Sequence, residues 1–248
     1  MRRLLSIAGP VSPQARRLAG AVGLIADLAL AGAVLLMAIM AWAPPQDLPW
    51  TPLSLDAPIG LATHWKFERA AAHLDRCRQI LQQAGVAYQI EPDRRMGACD
   101  PLDTLRLTDG ALTPLQPAGP LMSCPLALGY AFWTRHSLQP AAQAMFHEPV
   151  VGIEHVGTFA CRNIYNEVDG RRSEHAFANA LDVTGFRLAS GRRVTVGEDF
   201  RGVTPGGAFL HAVRTGACRW FHVVLSPDYN RQHAGHFHLD QGRNQVCR

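Results

Sequence analysis

Three of the eleven histidines fall in one hexapeptide, His233-Ala-Gly-His236-Phe-His238. Side chains alternate faces along a β-strand, so a strand here puts His236, His238 and Asp240 on one side and turns Phe237 and Leu239 into a core. Upstream, the run Ser173-Glu-His175-Ala-Phe-Ala-Asn-Ala-Leu-Asp182 carries a histidine and an aspartate seven positions apart. A catalytic zinc takes three nitrogen or oxygen ligands from the protein and keeps one position open. His175, Asp182 and one of the C-terminal histidines meet that need. Such a metal brings the pKa of water down to about 7 and polarises a carbonyl, while a neighbouring side chain takes and returns a proton. His236 is placed for that second task. Either pair alone arises easily by chance in a histidine-rich chain, and the competing reading is a set of packed, hydrogen-bonded histidines.

The elements that must position these residues can be read from periodicity and turn residues. Residues 66–84 show near-helical apolar spacing that Gly85 ends. Val86 to Ile90 reads as a strand. Cys124 to Phe146 reads as helical, with a new start near Pro140. Val150 to His155 reads as a strand, and 180–196 as a β-hairpin turning at Ala189-Ser190-Gly191. A short helix at 208–215 and strands at 221–225 and 236–240 complete the pattern. Helices first and strands later give an α+β class with a mainly antiparallel sheet, in one domain over residues 61–248.

Ahead of that domain, Ala19 to Ala43 is 25 residues long with one charge, Asp27, which is enough to span a bilayer. Arg2, Arg3, Arg16 and Arg17 precede it, and no basic residue follows until Lys66. The positive-inside bias therefore places residues 1–18 in the cytoplasm and the bulk of the chain across the membrane. The expectation is a single-pass inner-membrane anchor at 19–43 with a periplasmic C-terminal domain. The alternative is a signal segment cut at Ala41-Trp-Ala43, which releases the domain into the periplasm. Residues 44–60 hold five prolines and read as an extended linker. The N-terminal 43 residues account for +3 of the +4 formal charge, so the domain has no basic stripe for nucleic acid.

All six cysteines, Cys77, Cys99, Cys124, Cys161, Cys218 and Cys247, lie beyond the membrane segment, and none forms a CxxC pair. An even count on the oxidising side implies three disulfides. Sequence proximity suggests Cys77 with Cys99, Cys124 with Cys161, and Cys218 with Cys247.

The pattern SxHxxxxxxD followed by HxH resembles the LAS metallopeptidases, the lysostaphin, D-Ala-D-Ala peptidase and hedgehog-like group. The resemblance implies zinc on His175, Asp182 and His238, His236 as general base, and His233 lining the site to stabilise the transition state, as in the HxxHxH arrangement of murein endopeptidases. The D-Ala-D-Ala branch shows SxHxxGxAxD, and Ala178 stands here where that branch has glycine. Arg162, in Cys-Arg-Asn, resembles the arginine that holds a substrate carboxylate in carboxypeptidases, and Ser173 joins it on the substrate side. From about residue 77 to 240 the chain also resembles the bacterial extensin-like C-terminal domain family. That resemblance rests on Cys124-Pro-Leu, Leu138-Gln-Pro-Ala-Ala, Cys161-Arg, Ser173-Glu-His-Ala, Asn179-Ala-Leu-Asp-Val, Gly216-Ala-Cys and His236-Phe-His-Leu-Asp.

These readings converge on one zinc ion per chain and a peptidase of peptidoglycan peptides at the cell envelope. A different class competes, a non-catalytic module that binds cell wall or an envelope protein through the same cleft.

Overall fold

The computed structural model describes residues 12–108, 110 and 112–248, so Arg2 and Arg3 lie outside the described residues. The first element is helix α1, Pro13–Trp42. Ser12 caps it by accepting from the Ala15 amide at 3.2 Å, and Pro13 sits in the first turn, where an amide has no helical partner to lose. That cap starts the helix ahead of Ala19. No residue of α1 is buried, and its apolar window has a mean hydropathy of 2.4, sufficient for a single-pass anchor or a signal.

The stretch 44–60 is not the extended spacer expected. It folds down, burying Leu48, Leu53 and Leu55. The Leu61 amide donates to Asp47 Oδ1 at 2.7 Å, and the Lys66 ammonium donates to the Pro45 carbonyl at 3.1 Å and the Thr51 hydroxyl at 3.0 Å. Three leucines among the prolines supply apolar surface that an extended chain would leave in water. The folded body therefore begins ahead of residue 61.

Helices α2 (Thr63–Ala71) and α3 (Leu74–Gln83) replace the single helix expected over 66–84, broken at Ala72-His73, where His73 is extended. Strands β1 (Tyr88–Ile90), β2 (Thr104–Leu107), β3 (Leu115–Gln116) and β4 (Leu121–Ser123) follow. Next come α4 (Cys124–Trp133), a π-helical turn over Thr134–Leu138, and α5 (Gln139–Phe146), with Pro140 in its first turn as its residues imply. The remaining elements are β5 (Val150–His155), β6 (Ala180–Leu188), β7 (Arg193–Thr195), α6 (Val196–Asp199), α7 (Pro205–Ala217), β8 (Val223–Leu225), β9 (Phe237–Asp240) and β10 (Val246–Cys247).

β1, β2 and β4 form a small antiparallel sheet, while the large sheet runs β10-β8-β9-β6-β5-β3 with β7 also on β6. The class is α+β, but the large sheet is mixed rather than mainly antiparallel. β8 and β10 are parallel, as are β3 and β5, so parallel pairs close both ends of the path. Each of these pairs joins strands linked by a long connection, and a parallel neighbour needs such a crossover where a hairpin would give an antiparallel one. The hairpin β6-β7 is as expected, with Gly191 at φ 88° in its turn.

Every residue of α4 except Pro125 is buried, and its aromatics join the helices to the sheet. Trp133 meets Phe186 of β6 at 6.1 Å between ring centroids, and Phe132 meets Phe67 of α2 at 5.5 Å. Gly129 faces the segment after α7. A Cβ there would lie 2.8 Å from the Trp220 carbonyl, so glycine is what permits the approach.

Two of the three disulfides differ from the proximity expectation. Cys77 pairs with Cys124, Cys99 with Cys161, and Cys218 with Cys247 as expected. Pairing follows packing: α3 lies against α4, which brings buried Cys77 to the first residue of α4, and this leaves Cys99 to reach the loop holding Cys161.

Candidate metal centre

The centre is built on the register between β6 and β9. Asp182 stands directly opposite His238 and Val183 opposite Phe237, with Leu181 opposite Leu239 and Ala180 opposite Asp240. Leu181, Val183, Phe237 and Leu239 are fully buried in the core, as the alternation of side chains requires. The opposite face of the same pair presents Asp182, His238 and Asp240 together. His238 Nδ1 lies 2.9 Å from Asp182 Oδ1.

His175 arrives from a different direction, on a 3-10 turn over Glu174–Phe177 capped by Ser173, whose hydroxyl accepts from the His175 amide at 3.4 Å. The turn ends at Ala178 with φ 53°, a left-handed conformation that glycine adopts more easily than alanine. Ala178 thus occupies the position where a glycine relieves the backbone. Asn179 then locks the turn to its surroundings by donating to Glu174 Oε2 at 2.7 Å and accepting from the Ser123 hydroxyl at 2.6 Å. The result puts His175 Nε2 at 3.1 Å from Asp182 Oδ2 and 3.3 Å from His238 Nδ1.

One donor atom from each of His175, Asp182 and His238 therefore lies within 4.8 Å of the others. Each imidazole has its second nitrogen on an acceptor. His175 Nδ1 is 3.3 Å from the Thr158 carbonyl, and His238 Nε2 is 2.8 Å from Asp240 Oδ2. Those bonds hold the outer nitrogens as donors, while the inner nitrogens bond to Asp182; a metal would take the inner lone pairs in place of those protons. Two imidazole nitrogens and a carboxylate oxygen, each oriented from behind, are a donor set that fits zinc.

The electrostatics are strongly coupled to Asp182. Burial disfavours its charge, but the hydrogen bonds from His175 and His238 prevail and hold the carboxyl well below the usual range. Burial likewise opposes charge on His238, while its bonds to Asp182 and Asp240 carry it up to about 9. In His236, burial outweighs the attraction of Asp182 and lowers the imidazole below its ordinary value. His233 is pushed down to about 4 by burial and by His236 beside it.

His236 is not part of the three-atom convergence. Its Nε2 lies 3.7 Å from Asp182 Oδ1, and its side chain keeps 21% of its surface exposed to the cleft. His233 sits 5.1 Å from His236 between ring centroids. Its Nδ1 lies 2.7 Å from Asn230 Oδ1, an oxygen that also accepts from the amides of Gln232 and His233. That carbonyl oxygen is thereby identified, His233 Nδ1 must donate to it, and the remaining Nε2 is an acceptor. A neutral His233 therefore has no proton to offer an oxyanion.

These groups open on a cleft of about 460 Å³, whose lining includes Arg162, Tyr165, Arg172, Ser173, Tyr229 and His233. Arg162 and Ser173 are joined through the backbone, the Ser173 amide donating to the Arg162 carbonyl at 3.2 Å. The Ser173 hydroxyl spends one acceptor site on its cap and keeps its own proton. Cys99-Cys161 ties down the residue next to Arg162. All three converging residues are thus legible in the sequence, whereas their supports are only partly so. Asp240 was visible as a same-face neighbour of His238, whereas the Thr158 carbonyl belongs to the backbone and leaves no trace in residue types.

A family model described as Extensin-like protein C-terminus matches residues 75–248. No curated protein and no solved structure matches the chain.

Proposed function

The chain belongs to the extensin-like protein C-terminus family, and from that premise we propose that its folded domain is a zinc-dependent peptidase acting on peptidoglycan peptides. The observation that carries this reading is the meeting of His175, Asp182 and His238, of which Asp182 and His238 line an open cleft. Three protein ligands with room for a fourth is the arrangement of catalytic rather than structural zinc. The motif resemblance to LAS metallopeptidases supports the same conclusion.

Zinc held there supplies Lewis acidity toward a substrate carbonyl and toward water. The chain's own residues do the rest. Asp240 and Thr158 fix the tautomers of His238 and His175, so that no ligand nitrogen must be reoriented. His236, kept neutral by burial and about one-fifth exposed to the cleft, accepts a proton from water and returns it to the leaving amine. His233 serves as a second acceptor beside it, since its donor is committed to Asn230. Arg162 grips a peptide carboxylate with its forked guanidinium. α1 anchors the chain in the inner membrane and leaves the domain in the periplasm, facing its substrate.

The test is incubation of the full-length, zinc-loaded chain with purified sacculi, followed by analysis of soluble fragments. Fragment release by the parent is expected, with loss in His236→Ala at unchanged zinc content. Release by His236→Ala at the parental rate overturns the role of His236. Binding of sacculi without any fragments overturns catalysis and assigns the cleft to recognition.

A further inference from the structure

A second cavity, of about 640 Å³, lies between residues 49–53 and the sides of α2 and α3, and it shares no lining residue with the metal-centre cleft. Its walls include Trp50, Trp65, Lys66, Arg69 and Arg76, and no carboxylate. Glu68, on the same helix as Arg69, is engaged elsewhere, with His64 and His222. The Arg69 guanidinium lies 4.6 Å over the Trp65 ring, a stacking that pre-sets its direction. Lys66, the only lysine of the chain, is buried and spends two of its three donors on Pro45 and Thr51.

Position adds the second argument. Trp42 ends α1, and seven residues later Pro49 begins the cavity wall, a span of at most about 25 Å. A 3-10 turn over Pro45–Asp47 and the bonds of Asp47 and Lys66 shorten it further. The cavity is thus held close to where α1 leaves the bilayer. Trp50 and Trp65 are about half exposed, at 56% and 46%, and Ile59 and Leu61 stand exposed on the same juxtamembrane segment. Indoles with apolar bodies and arginines beside them suit the headgroup layer, where one end of a group is apolar and the other wet.

We propose that this cavity seats the headgroup of an anionic phospholipid from the leaflet in which α1 ends, a site that rests on the reading of α1 as a retained anchor. Arg69 and Arg76 take the phosphodiester, as guanidinium groups do with planar pairs of oxygens. Trp50 and Trp65 flank the glycerol. A choline headgroup finds no carboxylate here, and Arg69 already covers one face of the Trp65 ring.

The full chain in detergent can be titrated, by tryptophan fluorescence, with short-chain phosphatidylglycerol, short-chain phosphatidylcholine and glycerol phosphate. Saturable binding of phosphatidylglycerol is expected, at least tenfold tighter than of either other probe. The double variant Arg69→Gln, Arg76→Gln should lose at least tenfold of that affinity, with circular dichroism and zinc content unchanged, whereas the exposed Arg219→Gln should bind as the parent does. Equal binding of the two lipids, an unaffected double variant, or glycerol phosphate bound as tightly as the lipid overturns the proposal. The anchor reading is tested apart from it by the intact mass of the chain extracted from membranes, where a species shortened at Ala43 overturns that reading whatever the titration gives.

Discussion

Asp240 accepts from His238 Nε2 at 2.8 Å and thereby decides that Nδ1 is the nitrogen turned toward Asp182. The two residues are neighbours on one face of β9, so the ligand and the group that orients it come from a single strand. Removing the carboxylate while keeping its shape should loosen that orientation. In Asp240→Asn, zinc affinity is expected to fall by about 10- to 100-fold, the usual effect of losing such a partner. Competition against a chromophoric chelator measures it, and an affinity equal to the parent's would mean that the Asp240 bond does not matter to the site.

A second relationship ties α2 to the strand end beside the metal centre. Glu68 Oε2 lies 3.0 Å from His222 Nε2, with His64 at 3.7 Å on the other oxygen and Asp240 near the imidazole. The hydrogen bond that His222 donates to Glu68 outweighs burial and raises His222 above its ordinary value of 6.5, and the same bond lowers Glu68 below its ordinary 4.5. The raised histidine stabilises the fold below pH 6.5 and loses that contribution as pH rises through its folded value. The lowered carboxylate stabilises above pH 4.5 and loses its contribution as pH falls. Both act together between these limits. Glu68→Gln should therefore lower the Tm by about 1–3 °C near pH 5.5, as loss of a partly exposed pair does, and by less at pH 9. A Tm difference that is the same at both values contradicts the charged pairing.

Gly129 offers a test of packing. An added Cβ would lie 2.6 Å from Gln241 Nε2 and 2.8 Å from the Trp220 carbonyl, two groups that are bonded to each other at 2.6 Å. Overpacking of this kind costs about 1–3 kcal/mol. Alanine regains up to about 1 kcal/mol of helix propensity. Gly129→Ala should then lose up to about 2 kcal/mol, read from the urea midpoint. A gain in stability would show that the contact yields without strain.

The candidate metal centre is the most legible part of the sequence because its C-terminal half obeys strand periodicity. Phe237 and Leu239 announce the strand, and His238 and Asp240 must then share its other face. His175 and Asp182 stand out by type and spacing together with the motif resemblance. The supports were less visible, since Asn230 fixes the His233 tautomer through a loop and Thr158 acts through its carbonyl. The cysteine partners depend on which helices pack, and nothing local to Cys77 points to Cys124. The short strands β2, β3 and β4 carry two to four residues each, too few for a period to emerge. Their pairing is set by tertiary contacts, and so was the parallel placement of β3 and β10. The folding-down of 44–60 was written in Leu48, Leu53 and Leu55, which the prolines obscured.

The most direct measurement is the zinc content of the full-length chain, purified from an oxidising compartment, by elemental analysis beside a His175→Ala, His238→Ala control. About one zinc per folded chain in the parent and none in the control is the expected result, since only the parent keeps all three converging donors. A folded parent that takes up no metal when zinc is offered, or a control that holds as much as the parent, would contradict the metal centre.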